Sequence, residues 1–323
     1  MQNVRPTVTF VTAVGNPDAY GDFDQVIERI KIQLDSMVNM AGNYKYVMVC
    51  NRDSRIEQLK SSYSKLEAMW DLVEVDFLPP IDVGAGAGSY GDVSYNKFMK
   101  DKGSRLIIGF QKALEYQSDY IFFVDCDDLL SCKIPSYLAD KTGDIYYVNR
   151  GAFLDLGRGK IKPTAGLFRF CGSTVCYKTS FLVEQFSQIK NIALDASKED
   201  IALHFDERDI ALIFGDHMEW FHRFVGTAYQ IDAFPFNAAA WLVNSGVNVS
   251  QVNFASDRWL TASSARLRDF GGKNDIVPKV TLGYWFNAGL LYMSLLAQLF
   301  IIHRSFKNKR LYFSLGDYMK RGK

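Results

Sequence analysis

Apolar residues follow two rhythms along the first 130 positions. Four short runs predict strands: Thr7–Val14, Lys45–Cys50 (KYVMVC), Leu72–Leu78 and Tyr120–Val124 (YIFFV). Between them apolar positions recur at helical spacing. Phe23, Val26, Ile27, Ile30, Leu34 and Met37 do so within Asp22–Met40. Ser54–Met69 predicts a second helix, and Leu106, Ile107, Phe110 and Leu114 mark a third over Ser104–Tyr116. Pro79-Pro80 closes the third strand. This alternation predicts an α/β fold, a mostly parallel central sheet with helices on both faces. Ligands of such sheets bind beyond the carboxyl ends of the strands.

The second half is less regular. Asp144–Val148, Thr174–Tyr177 and Ala228–Ala233 predict strands, and a helix is expected after Gly215-Asp216-His217 as far as Val225. No repeat or clean linker interrupts the chain. Residues 1–279 are therefore expected to form one catalytic-type domain, with a nucleotide half to about residue 135 and an acceptor half over about 136–279. With 48% hydrophobic and 23% charged residues, a 323-residue chain has ample material for a core.

Lys+Arg (37) and Asp+Glu (36) nearly cancel, which excludes a globally basic nucleic-acid binder. The balance hides an asymmetric end. Val280–Ile302 contains no charged side chain and carries Trp285, Phe286, Leu290, Met293, Leu296 and Phe300 at helical spacing. Seven basic residues against one acid follow from Arg304 onward. A buried helix, a membrane-interface helix and a transmembrane span all fit; the polar dilution by Asn287, Ser294 and Gln298 and the basic tail favour peripheral attachment. A dimer interface fits as well, and the oligomeric state is open. Five cysteines without a CxxC pair read as reduced thiols. A cytoplasmic protein is expected, peripheral to the inner face of the membrane if its tail attaches there.

The strongest chemical signal is Asp125-Cys126-Asp127-Asp128, three carboxylates directly after an apolar strand. Crowding of like charges at the edge of a core raises carboxyl pKa values, and a divalent cation relieves it. Hard oxygen donors at this density suit Mg²⁺ or Mn²⁺ shared with a diphosphate. A solvated acidic turn is the bland alternative.

The stretch from Gly109 and Ala113, four apart on a helix, through the strand to D-x-D-D resembles the core of GT-A-fold glycosyltransferases, especially the large family 2 group. The resemblance spans roughly Thr7–Ser250 and implies a metal-dependent, inverting hexosyl transfer from a nucleotide-diphosphate sugar, UDP-sugar favoured. The acceptor would be a glycan or lipid-linked glycan, as in polysaccharide biosynthesis. It implies that Asp125 faces the nucleotide and that Asp127 and Asp128 lie at the metal. Cys171-Gly172-Ser173 looks like the family's glycine-led strand beside the acceptor. Gly215-Asp216-His217 looks like the segment whose Asp is general base, which gives Asp216 that role; His217 beside it is a candidate acceptor contact or metal ligand, although a lone His is more often structural. Asn248-Val-Ser250 resembles the N-x-S near the end of the family's catalytic domain.

Some positions depart from the pattern. Leu106-Ile107 stand where Arg-Asn is usual, so Lys102 and Arg105 are the candidate diphosphate contacts. Asn51-Arg52-Asp53-Ser54 replaces D-[DG]-S, leaving Asp53, with Asn51 behind it, for the nucleotide base. Trp241 is a candidate sugar-stacking ring, although Trp more often packs in a core. Gly86-Ala-Gly88-Ser-Tyr-Gly91 matches GxGxxG literally but follows Pro79-Pro80 instead of the first strand, so a dinucleotide site is rejected in favour of a loop near the donor or a plain connector. Arg150, Arg158, Lys160 and Lys162 read as a solvated basic loop, with an anion site as the alternative. Two other functions remain open. IFFVDCDDLL also fits a haloacid-dehalogenase-like phosphatase with Asp125 as nucleophile, and a non-catalytic carbohydrate-binding protein would keep the same fold.

Overall fold

The computed structural model describes residues 5–80, 93–214 and 219–243, together with 260, 261, 267 and 270. All belong to one compact unit, Met1–Val277. The segment expected at 280–323 and the GxGxxG stretch lie outside the described residues.

The elements run in order β1 (Val8–Ala13), α1 (Phe23–Met37), β2 (Tyr44–Asn51), α2 (Ser54–Ser62), β3 (Trp70–Val75), α3 (Val93–Leu114), β4 (Tyr120–Asp125), β5 (Leu129–Leu130) and α4 (Ile134–Leu138). There follow β6 (Ile145–Tyr147), β7 (Arg150–Asp155), β8 (Lys160–Ala165), β9 (Val175–Lys178), α5 (Thr179–Gln185) and α6 (Lys198–Ala202). The last are α7 (Glu207–Phe214), α8 (Glu219–Phe224), β10 (Ile231–Ala233), β11 (Ala239–Leu242) and β12 (Leu260–Thr261).

Seven strands form the central sheet in the order β10-β6-β9-β4-β1-β2-β3. All pairings are parallel except those of β9, which runs against both β4 and β6. The mostly parallel sheet flanked by helices is as expected. Its central strands β1, β2 and β4 are buried on both faces. Val8, Phe10, Phe122 and Val124 pack with the apolar stripe of α1, whereas Val11, Ala13, Ile121 and Phe123 pack with Leu106, Ile107 and Phe110 of α3. Complete burial of a side chain of this size contributes about 1.5–3 kcal/mol, which is why YIFFV has no polar alternation.

From β1 the chain builds outward to β2 and β3 and then returns to the other side of β1 as β4. The strand order reverses there, and the crevice beyond the carboxyl ends of β1 and β4 is the general ligand position of such sheets. Register places Asp125 directly beside Ala13 at that end.

α3 comes close to the sheet because Gly109 faces it. A Cβ there would lie 2.9 Å from Cγ2 of Val49 and press on Val11. The helix begins well before the expected Ser104, running through Gly103. Asp101 and Arg105, four apart and paired at 3.0 Å, tie the early turns to the later ones. The helix expected over Ser54–Met69 stops at Ser62. Tyr63 leaves the helical region (φ −104°, ψ 56°), and its hydroxyl instead bonds Lys31 O and Asp35 Oδ1 of α1, both at 3.1 Å. A tertiary bond has overridden local periodicity. β3 starts at Trp70 and ends at Val75, earlier than expected, and the chain then turns so that the Phe77 carbonyl accepts from the amides of Asn16 and Asn51 at 2.9 Å each.

The largest difference from expectation is a second sheet, ordered β12-β8-β7-β11-β5. The segment read as a basic loop is a hairpin, β7 paired antiparallel with β8. Asp155 shapes its turn by accepting from the Arg158 amide at 3.0 Å, and Gly159 takes a positive φ of 59°. Ala152, Leu154, Ile161, Ala240 and Leu242 bury the inner face of this sheet.

Candidate functional site

The acidic turn joins the two sheets. β4 delivers Asp125 at its carboxyl end, and β5 begins only at Leu129. One carboxylate oxygen from each of Asp125, Asp127 and Asp128 lies within 4.8 Å of the others. Asp128 is fully buried. Its Oδ2 accepts from the Cys171 thiol at 2.9 Å, and its Oδ1 has no hydrogen-bond partner.

Three neighbours hold the turn in place. The buried Gln33 of α1 donates through Nε2 to the Asp125 carbonyl and accepts through Oε1 from the Tyr46 hydroxyl at 2.7 Å. Ser36, one turn further along α1, donates to Gln33 O at 2.6 Å and accepts from the Leu130 amide at 3.3 Å. On the other side, Ser173 Oγ accepts from the Asp125 amide at 2.6 Å. Gly172 lies against the Asp125 side chain; a Cβ there would stand 2.9 Å from its Cγ and Oδ1. Both main-chain ends of the turn are thus satisfied by buried side chains, and the carboxylates are left to project.

The electrostatics follow from crowding. Burial, then the charge of Asp125, pushes the Asp127 carboxyl up to about 6. Burial and both neighbouring carboxylates hold Asp128 well above the ordinary carboxylate range. Lys102 forms an ion pair with Asp125. Its burial disfavours the charge, but Asp125 and Asp127 outweigh this and raise the ammonium above its ordinary value. Arg29 of α1 is pulled down by burial and faces Asp127 and Asp155. Burial keeps the phenol of Tyr20, after β1, protonated, and the charges of Cys126 and Asp127 add to this. Lys102 and Arg29 set two positive charges against three carboxylates. That excess, and a buried carboxylate oxygen without a partner, fits a hard divalent cation.

The structure brings together Asp125, Asp127, Asp128, Lys102 and Gly172 of the residues singled out in the sequence. Arg105 is fully buried, bonded to Asp101 and stacked 5.2 Å from the Phe77 ring centroid, with its Nη1 lacking a partner. Asn51 is locked to Phe77 O through its amide nitrogen, and its Oδ1 has no partner. Asp53 caps α2 and is gripped by Arg55 through Nε at 2.9 Å and Nη2 at 2.7 Å. This charge-assisted bonding holds Asp53 below the ordinary carboxylate range. Trp241 is a buried member of β11, edge-on to Phe153 at 5.6 Å. Asp216, His217 and Asn248–Ser250 lie outside the described residues.

Arg29, Gln33 and Ser36 were not singled out in the sequence, and Cys171 and Ser173 were read only as part of a strand beside the acceptor. A signal existed for two of them: Gln33 and Ser36 interrupt an apolar helical stripe, and polar side chains within such a stripe require partners. Cys171 and Ser173 flank the chosen Gly172, but nothing in the sequence links them to residues more than forty positions earlier.

No family model matches the chain, and no curated protein matches it. Among solved structures, residues 1–349 of S. aureus TarS in complex with UDP are 13% identical, with 73% of this chain and 60% of that chain covered and a TM-score of 0.41. This chain therefore spans about 60% of that TarS fragment. A putative nucleotide-diphospho-sugar transferase from Desulfovibrio desulfuricans G20 is 11% identical over 82% of this chain and 96% of its own, with a TM-score of 0.35. An active-site mutant of LgtC is 10% identical over 81% and 82%, also at 0.35. These are partial likenesses at low identity.

Proposed function

We propose that this chain is a metal-dependent glycosyltransferase of the GT-A type, moving a hexose from a nucleotide-diphosphate donor to a glycan or lipid-linked glycan. One observation carries the reading: three carboxylates converge at the β1/β4 crevice, and one of them, fully buried, keeps an oxygen without a partner. Asp125, Asp127 and Asp128 would hold Mn²⁺ or Mg²⁺. A bound cation would supply charge neutralisation for a departing diphosphate.

The chain's own residues would supply the rest. Lys102, paired with Asp125, sets a positive charge beside the position of the diphosphate. Asn51 and Asp53, at the carboxyl end of β2, are the candidates for holding the nucleotide base. Asp216 would take the acceptor's proton in an inverting transfer, with His217 beside it. Residues 280–323 would attach the enzyme to an anionic membrane surface. Among the described residues no helix is long and apolar enough to cross a membrane.

Calorimetric titration of UDP and GDP, with and without Mn²⁺, into the wild type and Asp127→Ala tests this. The expected result is Mn²⁺-dependent binding of UDP that is lost in the variant. A folded wild type that binds neither nucleotide would overturn the proposal, and hydrolysis of simple phosphate esters would then be measured.

A further inference from the structure

We propose that the Cys171 thiol is a positioning group for the cation: by donating to Oδ2 of Asp128 it leaves Oδ1 as the oxygen presented to the metal. This rests on the metal-site reading above and adds a residue that an acidic motif does not contain.

The geometry supports it in three ways. The S–H···O contact is 2.9 Å between heavy atoms, short for a sulfur donor. Cys171 is 1% exposed and Asp128 fully buried, so water does not compete for either. Oδ1 is the atom left without a partner. A buried carboxylate with both oxygens unbonded would rotate about its Cβ–Cγ bond. The thiol on Oδ2, with the Ser173 hydroxyl also bonded to this carboxylate, fixes that rotation and selects Oδ1 for a ligand. Partners of this kind orient metal ligands throughout metalloproteins, and their loss costs about 10–100-fold in affinity.

The choice of cysteine has a chemical consequence. A neutral thiol donates one hydrogen bond and brings no charge. An amine or guanidinium in its place would neutralise Asp128 and compete with the cation. A serine hydroxyl makes the same bond with a shorter reach, whereas alanine makes none.

The test is Mn²⁺ binding by the full chain, read from the spectrum of free Mn²⁺ by electron paramagnetic resonance without nucleotide or turnover. Wild type, Cys171→Ser, Cys171→Ala and Asp128→Asn are compared, with circular dichroism confirming the fold. Cys171→Ala is expected to bind about tenfold more weakly, Cys171→Ser within about threefold of wild type, and Asp128→Asn not measurably. Wild-type affinity in a folded Cys171→Ala would overturn the role of the thiol while leaving the metal site standing. Absence of Mn²⁺ binding by the wild type would overturn both. Should Cys171→Ala fail to fold, the infrared S–H stretch of Cys171, assigned by its loss in Cys171→Ser, decides. It is expected to shift when Mn²⁺ is added to the wild type, and an unmoved band would overturn the proposal.

Discussion

Asp127 is the residue at which the cost of the site should be most directly measurable. Its folded-state pKa is about 6 against an ordinary 3.8, because burial and Asp125 disfavour its charge. The folded state therefore keeps a proton that the unfolded chain releases between those two values. Stability from this group is greatest below the lower value, falls as pH rises through the window and stays low above it. Asp127→Asn is expected to raise Tm at neutral pH in the presence of a chelator, by about 2–4 °C for each kcal/mol relieved, and to leave it unchanged below the carboxylate range. Saturating Mn²⁺ should reverse the order, stabilising the wild type alone. Equal melting of the two proteins at neutral pH with chelator would show that the crowding is not felt. Gln33→Ala makes the complementary case. It takes the acceptor from the Tyr46 hydroxyl and leaves the Asp125 carbonyl only the long bond from the Asp128 amide at 3.4 Å, and should cost about 1–3 kcal/mol in urea unfolding. It should also weaken Mn²⁺ binding. The acidic turn was legible in the sequence because its chemistry is contiguous. The contacts that support it were not, because Gln33 reaches the turn only through the fold, and Cys171 and Ser173, read as lying beside the acceptor, meet Asp128 and Asp125 instead.

At the scale of elements, the closest approach of helix to sheet depends on an absent side chain. Gly109→Val would drive a branched side chain into Val11 and Val49, and overpacking of this kind costs about 1–3 kcal/mol; a stability equal to wild type by chemical denaturation would contradict the packing described. Gly172→Ala is different in kind. Its Cβ would meet the Asp125 carboxylate, so Mn²⁺ and nucleotide binding should fall more than stability does. The strands β1, β2 and β4 were legible because both of their faces are buried, which makes them continuous apolar runs. β7 and β8 were not. Their residues RGAFLD and KIKPTA mix glycine, proline and charge, and only pairing with each other and with β11 makes them strands. The true end of α2 was hidden for a related reason, since Tyr63 is claimed by α1.

For the whole molecule, the basic end adds a prediction separable from catalysis. The protein should float with anionic vesicles, and replacing Lys307, Lys309 and Arg310 by Gln should release it; a wild type that does not float would remove the membrane surface as a partner, and equal flotation of both would remove the basic cluster as its contact. The interleaving of the sheets has a thermodynamic consequence. The chain passes from one sheet to the other at residues 126–128, 131–144, 148–149, 166–174 and 234–238, so it is stitched and not stacked. The candidate site is made from two of those stitches, the acidic turn and Cys171–Thr174. Neither sheet can come apart without pulling a thread through the site. Unfolding of the described unit should therefore be a single transition, and a cation bound at the stitches should move that transition as one. A cation that shifted only part of a two-step melt would show that the seam is looser than it looks.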